Sequence, residues 1–219
     1  MKNRRCERVK ITLKKSSGFF LKHNLFSVMH LYSDGSKSKK YSYELVSRKG
    51  TDSVVVLLYF IRNGEVFVGL KEEARLAKVL RNLENKQASF PIKDCYLLEA
   101  VAGSLEPNEK NLKQIKKRVK TETLEEAGYD VNIDNIISLG KPFFSSPGQS
   151  TEKIYPFAVK IEKERHNKAI GDGSLLEKES GEIKFFPLKK AFKMIEQGRI
   201  EDAKTEISIH RLFLKLNLL

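Results

Sequence analysis

Three glutamates, Glu122, Glu125 and Glu126, lie close together in the sequence near the end of a predicted helix. Glu122 and Glu126 are four residues apart, so their side chains lie one above the other on the same helix face. Carboxylates in this arrangement repel each other unless a cation lies between them. Hard divalent cations such as Mg²⁺ and Mn²⁺ prefer oxygen ligands, so the spacing indicates a metal site. The competing interpretation is a solvated acidic helix end.

The helix that carries these glutamates has clear start and stop signals. Asn111 followed by Gln114 is a capping-box pattern, and Gly128 is typical of the left-handed residue that ends a helix. At roughly 100° per residue, Glu126 falls on one stripe with four other side chains. These are Leu112, Ile115, Val119 and Thr123. We therefore expect the Glu126 carboxylate to face the core, where a cation must neutralise it.

Zinc and disulfide chemistry are disfavoured by the residue counts. The chain has four histidines and only two cysteines, Cys6 and Cys95, which lie far apart and in no ligand pattern. Oxygen ligands and a hard cation remain the better match.

The segment around the glutamates resembles the Nudix box, G-x5-E-x7-R-E-U-x-E-E-x-G-U. Gly103 and Glu109 have the spacing of its opening, and residues 122–129 match its end. The resemblance implies Glu122 and Glu126 as principal ligands of Mg²⁺ or Mn²⁺. It also implies that Glu125 assists and that the backbone carbonyl of Ala102 completes the metal site.

Two departures from the box pattern concern its middle. The stretch from Glu109 to Gly128 is four residues longer than the pattern, and Thr121 stands where the box has arginine. We place the extra residues around positions 116–120, as a longer helix or a bulge. Arg118 or Lys120 is expected to supply the missing positive charge.

Other segments resemble the branch of this superfamily that hydrolyses ADP-ribose and nucleoside diphosphate-sugars. They are residues 41–54 (YSYELVSRKGTDSV), 145–148 (SSPG) and 196–205 (EQGRIEDAKT). The resemblance implies an α+β fold, a Nudix-type α/β/α sandwich with a mixed sheet and a small N-terminal antiparallel β subdomain. Strands first, one central helix and two final helices suggest the same architecture. We assign residues 1–50 to the β subdomain and residues 51–219 to the hydrolase domain.

The implied activity is metal-dependent hydrolysis of a nucleoside diphosphate-sugar to a nucleoside monophosphate and a sugar phosphate, with ADP-ribose as the first candidate. Two alternatives stay open. One is a Nudix hydrolase acting on UDP- or GDP-sugars, dinucleoside polyphosphates or capped RNA. The other is a noncatalytic Nudix-fold module that binds RNA.

The resemblance also implies residues that contact the substrate and a general base. Arg75, Glu99, Arg48 and Glu152 are the candidates for substrate contacts. The base is expected on the loop before the last sheet strand, and Glu179 is preferred there because it precedes that strand by a few residues. The alternatives are Glu177, Glu182 and Glu152.

Composition sets wider bounds on partners and location. The 219 residues carry a formal net charge of +13, which favours a polyanionic ligand such as a nucleotide, RNA or a membrane surface. We do not favour nucleic acid, because an RNA-binding module would not need three box glutamates. No apolar stretch reaches the ~18 residues needed to span a bilayer, and the N-terminus lacks a signal-peptide pattern. The sequence therefore predicts a cytoplasmic protein without a membrane partner.

The remaining elements follow from periodicity. Apolar and polar residues alternate in residues 1–50, which predicts a small antiparallel meander. Its exposed aromatic side chains need to pack against another surface, which predicts a homodimer. These aromatic residues are Phe19, Phe20, Phe26 and Tyr41. Asn63-Gly64 predicts a hairpin between two strands, residues 96–102 predict a strand, and leucine spacing predicts a helix over residues 71–85. A last strand is predicted at 182–187, with helices at 188–197 and 203–216.

Overall fold

The computed structural model describes residues 4–81, 91–163, 166–171 and 181–216. The chain divides into two compact units, one of residues 1–51 and 144–153 and the other of residues 52–143 and 154–219. Within the described ranges, every helix is too short or too polar to cross a membrane.

Eleven strands and four α-helices follow one another along the described chain. The strands are β1 (Cys6–Ser17), β2 (Leu21–Tyr32), β3 (Tyr41–Arg48), β4 (Ser53–Arg62), β5 (Glu65–Ala74), β6 (Tyr96–Glu99), β7 (Val101–Ser104), β8 (Ile136–Ser138), β9 (Phe143–Phe144), β10 (Lys153–Lys160) and β11 (Lys184–Pro187). The helices are α1 (Ala77–Leu80), α2 (Leu112–Ala127), α3 (Leu188–Glu196) and α4 (Ala203–Lys215).

The first unit is built on an antiparallel sheet in the order β1-β2-β3. Val28 at its centre pairs with Ile11 on one side and with Tyr41 on the other. The amide of Val46 donates to the carbonyl of Gln149 at 2.8 Å, which ties residues 144–153 to β3. The predicted antiparallel meander is confirmed.

The second unit contains a mixed sheet whose main path runs β11-β5-β4-β10-β8. β4 and β10 are parallel, while β5 is antiparallel to both β4 and β11. Asn63 and Gly64 have φ values of 51° and 76°, the left-handed conformation that a tight two-residue hairpin requires. The hairpin between β4 and β5 was predicted correctly.

Alternating side chains of β4 bury both faces of this sheet. Val55 and Leu57 join a core cluster with residues of α3 and α4, whereas Val54 and Val56 join a second cluster with residues of α2. Helices therefore cover the sheet on both sides. The predicted α+β class with an α/β/α sandwich and a mixed sheet is confirmed.

Two predicted elements differ in the structure. The single strand predicted over residues 96–102 is two strands, because the amide of Ala100 donates to Thr205 Oγ1 at 2.8 Å and leaves the sheet. β6 then pairs with β5, and β7 pairs with β4.

The prediction of a helix over residues 71–85 is wrong for its first four residues. Residues 71–74 continue β5, since they pair with β6 from Lys71 opposite Glu99 to Ala74 opposite Tyr96. Only Ala77–Leu80 is helical, and residues 82–90 lie outside the described ranges. Pairing with β6 therefore extends the strand through these four residues, and the helix begins only after them.

Candidate active site

The box helix α2 begins and ends where the sequence predicts. Asn111 accepts a hydrogen bond from the amide of Gln114 at 3.0 Å, and the Gln114 side chain accepts one from the amide of Asn111 at 3.2 Å. Gly128 ends the helix with φ 74°. The helix is continuous over its 16 residues, so the extra residues of the box lengthen the helix and form no bulge.

The buried stripe of α2 also matches its prediction except at the first turn. Ile115, Val119 and Thr123 are buried, whereas Leu112, the first residue of the helix, is 58% exposed. The Glu126 side chain is only 8% exposed. Its carboxylate faces inward, as predicted.

The cation beside Glu126 is a lysine of the neighbouring sheet. The Lys71 ammonium lies 2.9 Å from Glu126 Oε2 and 2.7 Å from Glu73 Oε2. The contact to Glu73 is an ion pair by distance, but Glu73 Oε2 accepts no well-directed hydrogen bond among the described residues. The amide of Ala102 donates to Glu126 Oε2 at 3.4 Å. We call Lys71, Glu73 and Glu126 the lysine–glutamate cluster.

Burial and charge act in opposite directions within this cluster. Burial raises the pKa of the Glu126 carboxyl above its usual value, and the Lys71 ammonium offsets only part of that rise. Burial lowers the pKa of Lys71, but the charges of Glu126 and Glu73 outweigh it and leave this pKa raised. Lys71 is therefore a permanent ammonium at neutral pH.

Glu122 lies one helical turn before Glu126 on α2, beside Gly103 of strand β7. A Cβ added to Gly103 would come within 1.9 Å of Glu122 Cδ, so a larger residue at this position would displace the end of the Glu122 side chain. Arg118 Nη1 lies 3.6 Å from Glu122 Oε1, and Arg118 Nε donates to Glu109 at 3.1 Å. Of the two residues predicted to supply the missing positive charge, Arg118 lies beside Glu122, whereas Lys120 pairs with Asp130 at 2.8 Å.

The donor chemistry suits a hard divalent cation, but the predicted ligands are not gathered around one point. Among the described residues, no three acidic, histidine or cysteine side chains converge closely enough to hold a metal ion. The physical reason is that Glu126 Oε2 already contacts the Lys71 ammonium and the Ala102 amide. By donor type, Glu122 and Glu125 fit a metal site, whereas Glu126 in this arrangement does not. A contribution of the Ala102 carbonyl stays a prediction.

A cavity of about 500 Å³ opens beside the end of α2. Its wall combines acidic and basic groups, namely Lys71, Glu125, Glu126, Lys163, His166, Lys168 and Glu182. Residues 166–171 are fixed to the helix end, since the amides of Ile170 and Gly171 donate to the carbonyl of Glu125 at 3.1 and 2.9 Å. This mixture of lysines and carboxylates is suited to a phosphorylated ligand and its counter-ion.

Arg75 and Glu99, predicted to contact the substrate, are bound to each other. Arg75 Nε and Nη2 donate to the two Glu99 oxygens at 2.9 Å, and Lys204 Nζ donates to Glu99 Oε2. Glu99 is 2% exposed, whereas the Arg75 side chain is 44% exposed. Burial raises the pKa of Glu99, but the hydrogen bonds from Arg75 and the charge of Lys204 outweigh it and hold this pKa below its usual value. Neither residue lines the cavity, and their contact with a substrate stays a prediction.

The candidate bases and the remaining predicted contacts are distributed over the chain. Glu179, the preferred base, and Glu177 lie outside the described residues, whereas Glu182 is exposed on the cavity wall. Arg48 and Glu152 both belong to the first unit, where Arg48 Nη2 donates to Glu152 Oε1 at 3.4 Å.

Sequence reasoning missed Lys71, Glu73 and Lys204. The signal for the first two was present, because residues two apart on a strand share one face. Interpreting residues 71–85 as a helix hid it.

Curated relatives and a solved structure were compared with this chain. It is 31% identical over 123 residues to a GDP-mannose pyrophosphatase of Cronobacter sakazakii, covering 56% of this chain and 58% of the relative. It is 28% identical over 155 residues to one of Pectobacterium atrosepticum, covering 70% of this chain and 68% of the relative. The chain thus spans little more than half the length of the first of these relatives. No protein-family model matches the chain.

The fold comparison covers nearly the whole chain. The crystal structure of an ADP compounds hydrolase superposes with a TM-score of 0.58 at 15% identity, covering 99% of this chain and 96% of that one. At this identity the match concerns the fold alone. Together with the curated relatives, it agrees with the predicted resemblance: this chain is similar in sequence to GDP-mannose pyrophosphatases and shares the fold of an ADP compounds hydrolase.

Proposed function

We propose that this protein hydrolyses the pyrophosphate bond of a nucleoside diphosphate-sugar and releases a nucleoside monophosphate and a sugar phosphate. The observation that carries the proposal is the position of the box helix, which presents Glu125 to the wall of a cavity lined by lysines. The names of the similar proteins, GDP-mannose pyrophosphatase and ADP compounds hydrolase, support this substrate class. ADP-ribose and GDP-mannose are the first two candidates.

The reaction needs groups that this cavity supplies. A water oxygen attacks one phosphorus, the bridging P–O bond breaks, and the bridging oxygen leaves with the other phosphate. Lys163 and Lys168 on the cavity wall provide positive charge for the diphosphate. Glu122 and Glu125 would hold Mg²⁺ or Mn²⁺, which when bound neutralises developing charge and lowers the pKa of a water.

A substrate screen tests the proposal. We expect release of a nucleoside monophosphate from at least one nucleoside diphosphate-sugar in the presence of Mg²⁺ or Mn²⁺, measured by chromatography. The screen compares ADP-ribose, GDP-mannose, UDP-glucose, a dinucleoside polyphosphate and capped RNA. A folded sample that turns over none of the sugar nucleotides would refute the proposal, and turnover of capped RNA alone would favour the nucleic-acid alternative.

The general base is proposed among the carboxylates that precede β11. Glu179→Gln is expected to lower the turnover rate by roughly 10²-fold or more while KM changes little, because a base acts on the attacking water and contributes little to substrate binding. Glu182→Gln is the matched comparison, since Glu182 lines the cavity. If Glu182→Gln loses turnover and Glu179→Gln keeps it, Glu182 is the base. If both variants keep full turnover, neither residue is the base.

A homodimer through the first unit is also proposed. The outer strand β1 exposes Val9, Ile11 and Leu13 by 50%, 60% and 53%, and Phe19 at the β1–β2 turn is 98% exposed. Apolar side chains in such a row favour cover by a second surface. Light scattering at micromolar concentration is expected to give twice the chain mass of 25.1 kDa, and a monodisperse monomer would contradict the proposal.

A further inference from the structure

The ammonium of Lys71 occupies a position between two buried carboxylates. The Lys71 and Glu126 side chains are 5% and 8% exposed, and Glu73 is 7% exposed. An ammonium has three donors and no acceptor, so it meets both carboxylates as a small cation would. This arrangement lies beside the cavity proposed for the diphosphate.

The fold keeps this lysine in place. Lys71 lies on β5, where its backbone pairs with Glu99 of β6. Turning the side chain to the other face of the sheet would break that pairing, because neighbouring strand positions face opposite sides. Moving the ammonium away would also leave Glu73 and Glu126 buried without a cation, which is strongly unfavourable.

A divalent ion and this ammonium compete for the same oxygen. A magnesium–oxygen bond is about 2.1 Å long, so an ion on Glu126 Oε2 would lie within about 5 Å of Lys71 Nζ. Repulsion between a divalent and a monovalent cation at that separation is strong in a buried site. Occupation of Glu126 Oε2 by one of the two cations therefore disfavours binding of the other there.

We propose that Lys71 is a built-in replacement for a metal ion at Glu126. Glu126 binds the ammonium of β5, and the divalent ion of the proposed function is left to Glu122 and Glu125. The inference rests on the same site as the proposed function, and it departs from the ligand set implied by the resemblance, in which Glu126 is a principal ligand. Its readouts are metal binding and melting without substrate, so its outcome does not depend on whether hydrolysis is observed.

Lys71→Met is the first variant, because methionine keeps the length of the side chain and removes its charge. Without divalent ions we expect its Tm to fall by at least about 6 °C, since two buried carboxylates lose their cation. Mn²⁺ is expected to bind at least about tenfold more tightly than in the wild type, by electron paramagnetic resonance, and to restore at least half of the lost Tm. Lys184→Met is the control; it removes the exposed ion pair of Lys184 with Glu72 and should change neither Mn²⁺ affinity nor the response of Tm to Mn²⁺.

Glu126→Gln completes the test in the wild-type background. The proposal expects its Mn²⁺ affinity to stay within about twofold of the wild type, whereas Lys71→Met/Glu126→Gln should lose the gain shown by Lys71→Met. A tenfold loss of Mn²⁺ affinity in Glu126→Gln would overturn the proposal, as would unchanged Mn²⁺ binding in Lys71→Met. If Lys71→Met does not fold, the Mn²⁺ affinity of Glu126→Gln alone tests the proposal.

Discussion

Glu122→Gln is expected to lower turnover by about 10³-fold while the protein stays folded. A bound cation contributes several kcal/mol to stabilising the charge of a phosphoryl-transfer transition state, and each 1.36 kcal/mol is a factor of ten in rate. Glutamine keeps the size of the side chain that lies across Gly103, so packing between α2 and β7 is retained. Steady-state kinetics at saturating Mg²⁺, together with thermal melting, provide the measurement.

The control for this variant is Glu196→Gln at the exposed end of α3. It removes one carboxylate far from the box and should leave both turnover and melting unchanged. Full activity of Glu122→Gln would exclude Glu122 as a ligand. A large fall in Tm would instead assign Glu122 to the ion pair with Arg118, whose 3.6 Å separation is too long to predict a strong contribution.

Glu99→Gln is expected to destabilise the fold by about 3 kcal/mol. The change leaves Arg75 and Lys204 around a neutral group, and loss of one partner from a buried ion pair typically costs about 3–5 kcal/mol. We take the lower end because Arg75 is 44% exposed. For a chain of this size the loss corresponds to a fall in Tm of about 6 to 12 °C.

The pH dependence of this loss separates it from other causes. The folded-state pKa of Glu99 lies below its usual value, so its stabilisation is present above the unfolded pKa and disappears as pH falls through the folded one. The difference in Tm between wild type and variant should therefore be full at pH 7 and shrink below about pH 4. An unchanged Tm with weakened substrate binding would show that Glu99 acts on the substrate and has no structural role.

Local sequence signals predicted the box helix to the residue. Capping by Asn111 and Gln114 and the stop at Gly128 depend on neighbours along the chain, so they can be recognised without the fold. The inward aim of Glu126 followed from helical periodicity for the same reason.

The cation opposite Glu126 could not be predicted in the same way. Lys71 and Glu73 face one side only if residues 71–74 form a strand, and that depends on pairing with β6 at a distance in sequence. In a helix, residues two apart do not face each other, so the helical interpretation separated the pair. Lys204 contacts Glu99 across an even longer separation in sequence, so no pattern of neighbouring residues could have predicted the contact.

The ends of one connecting segment are fixed to backbone beside the site. The amide of Gly171 donates to the carbonyl of Glu125 at 2.9 Å, and the amide of Gly181 donates to the carbonyl of Glu72 at 2.8 Å. The two hydrogen bonds therefore hold both ends of this segment against α2 and β5, the elements that carry Glu125 and Lys71. In evolutionary terms, we expect these two anchoring ends to vary less than exposed parts of the surface, because a shift at either end would displace an element that carries site residues.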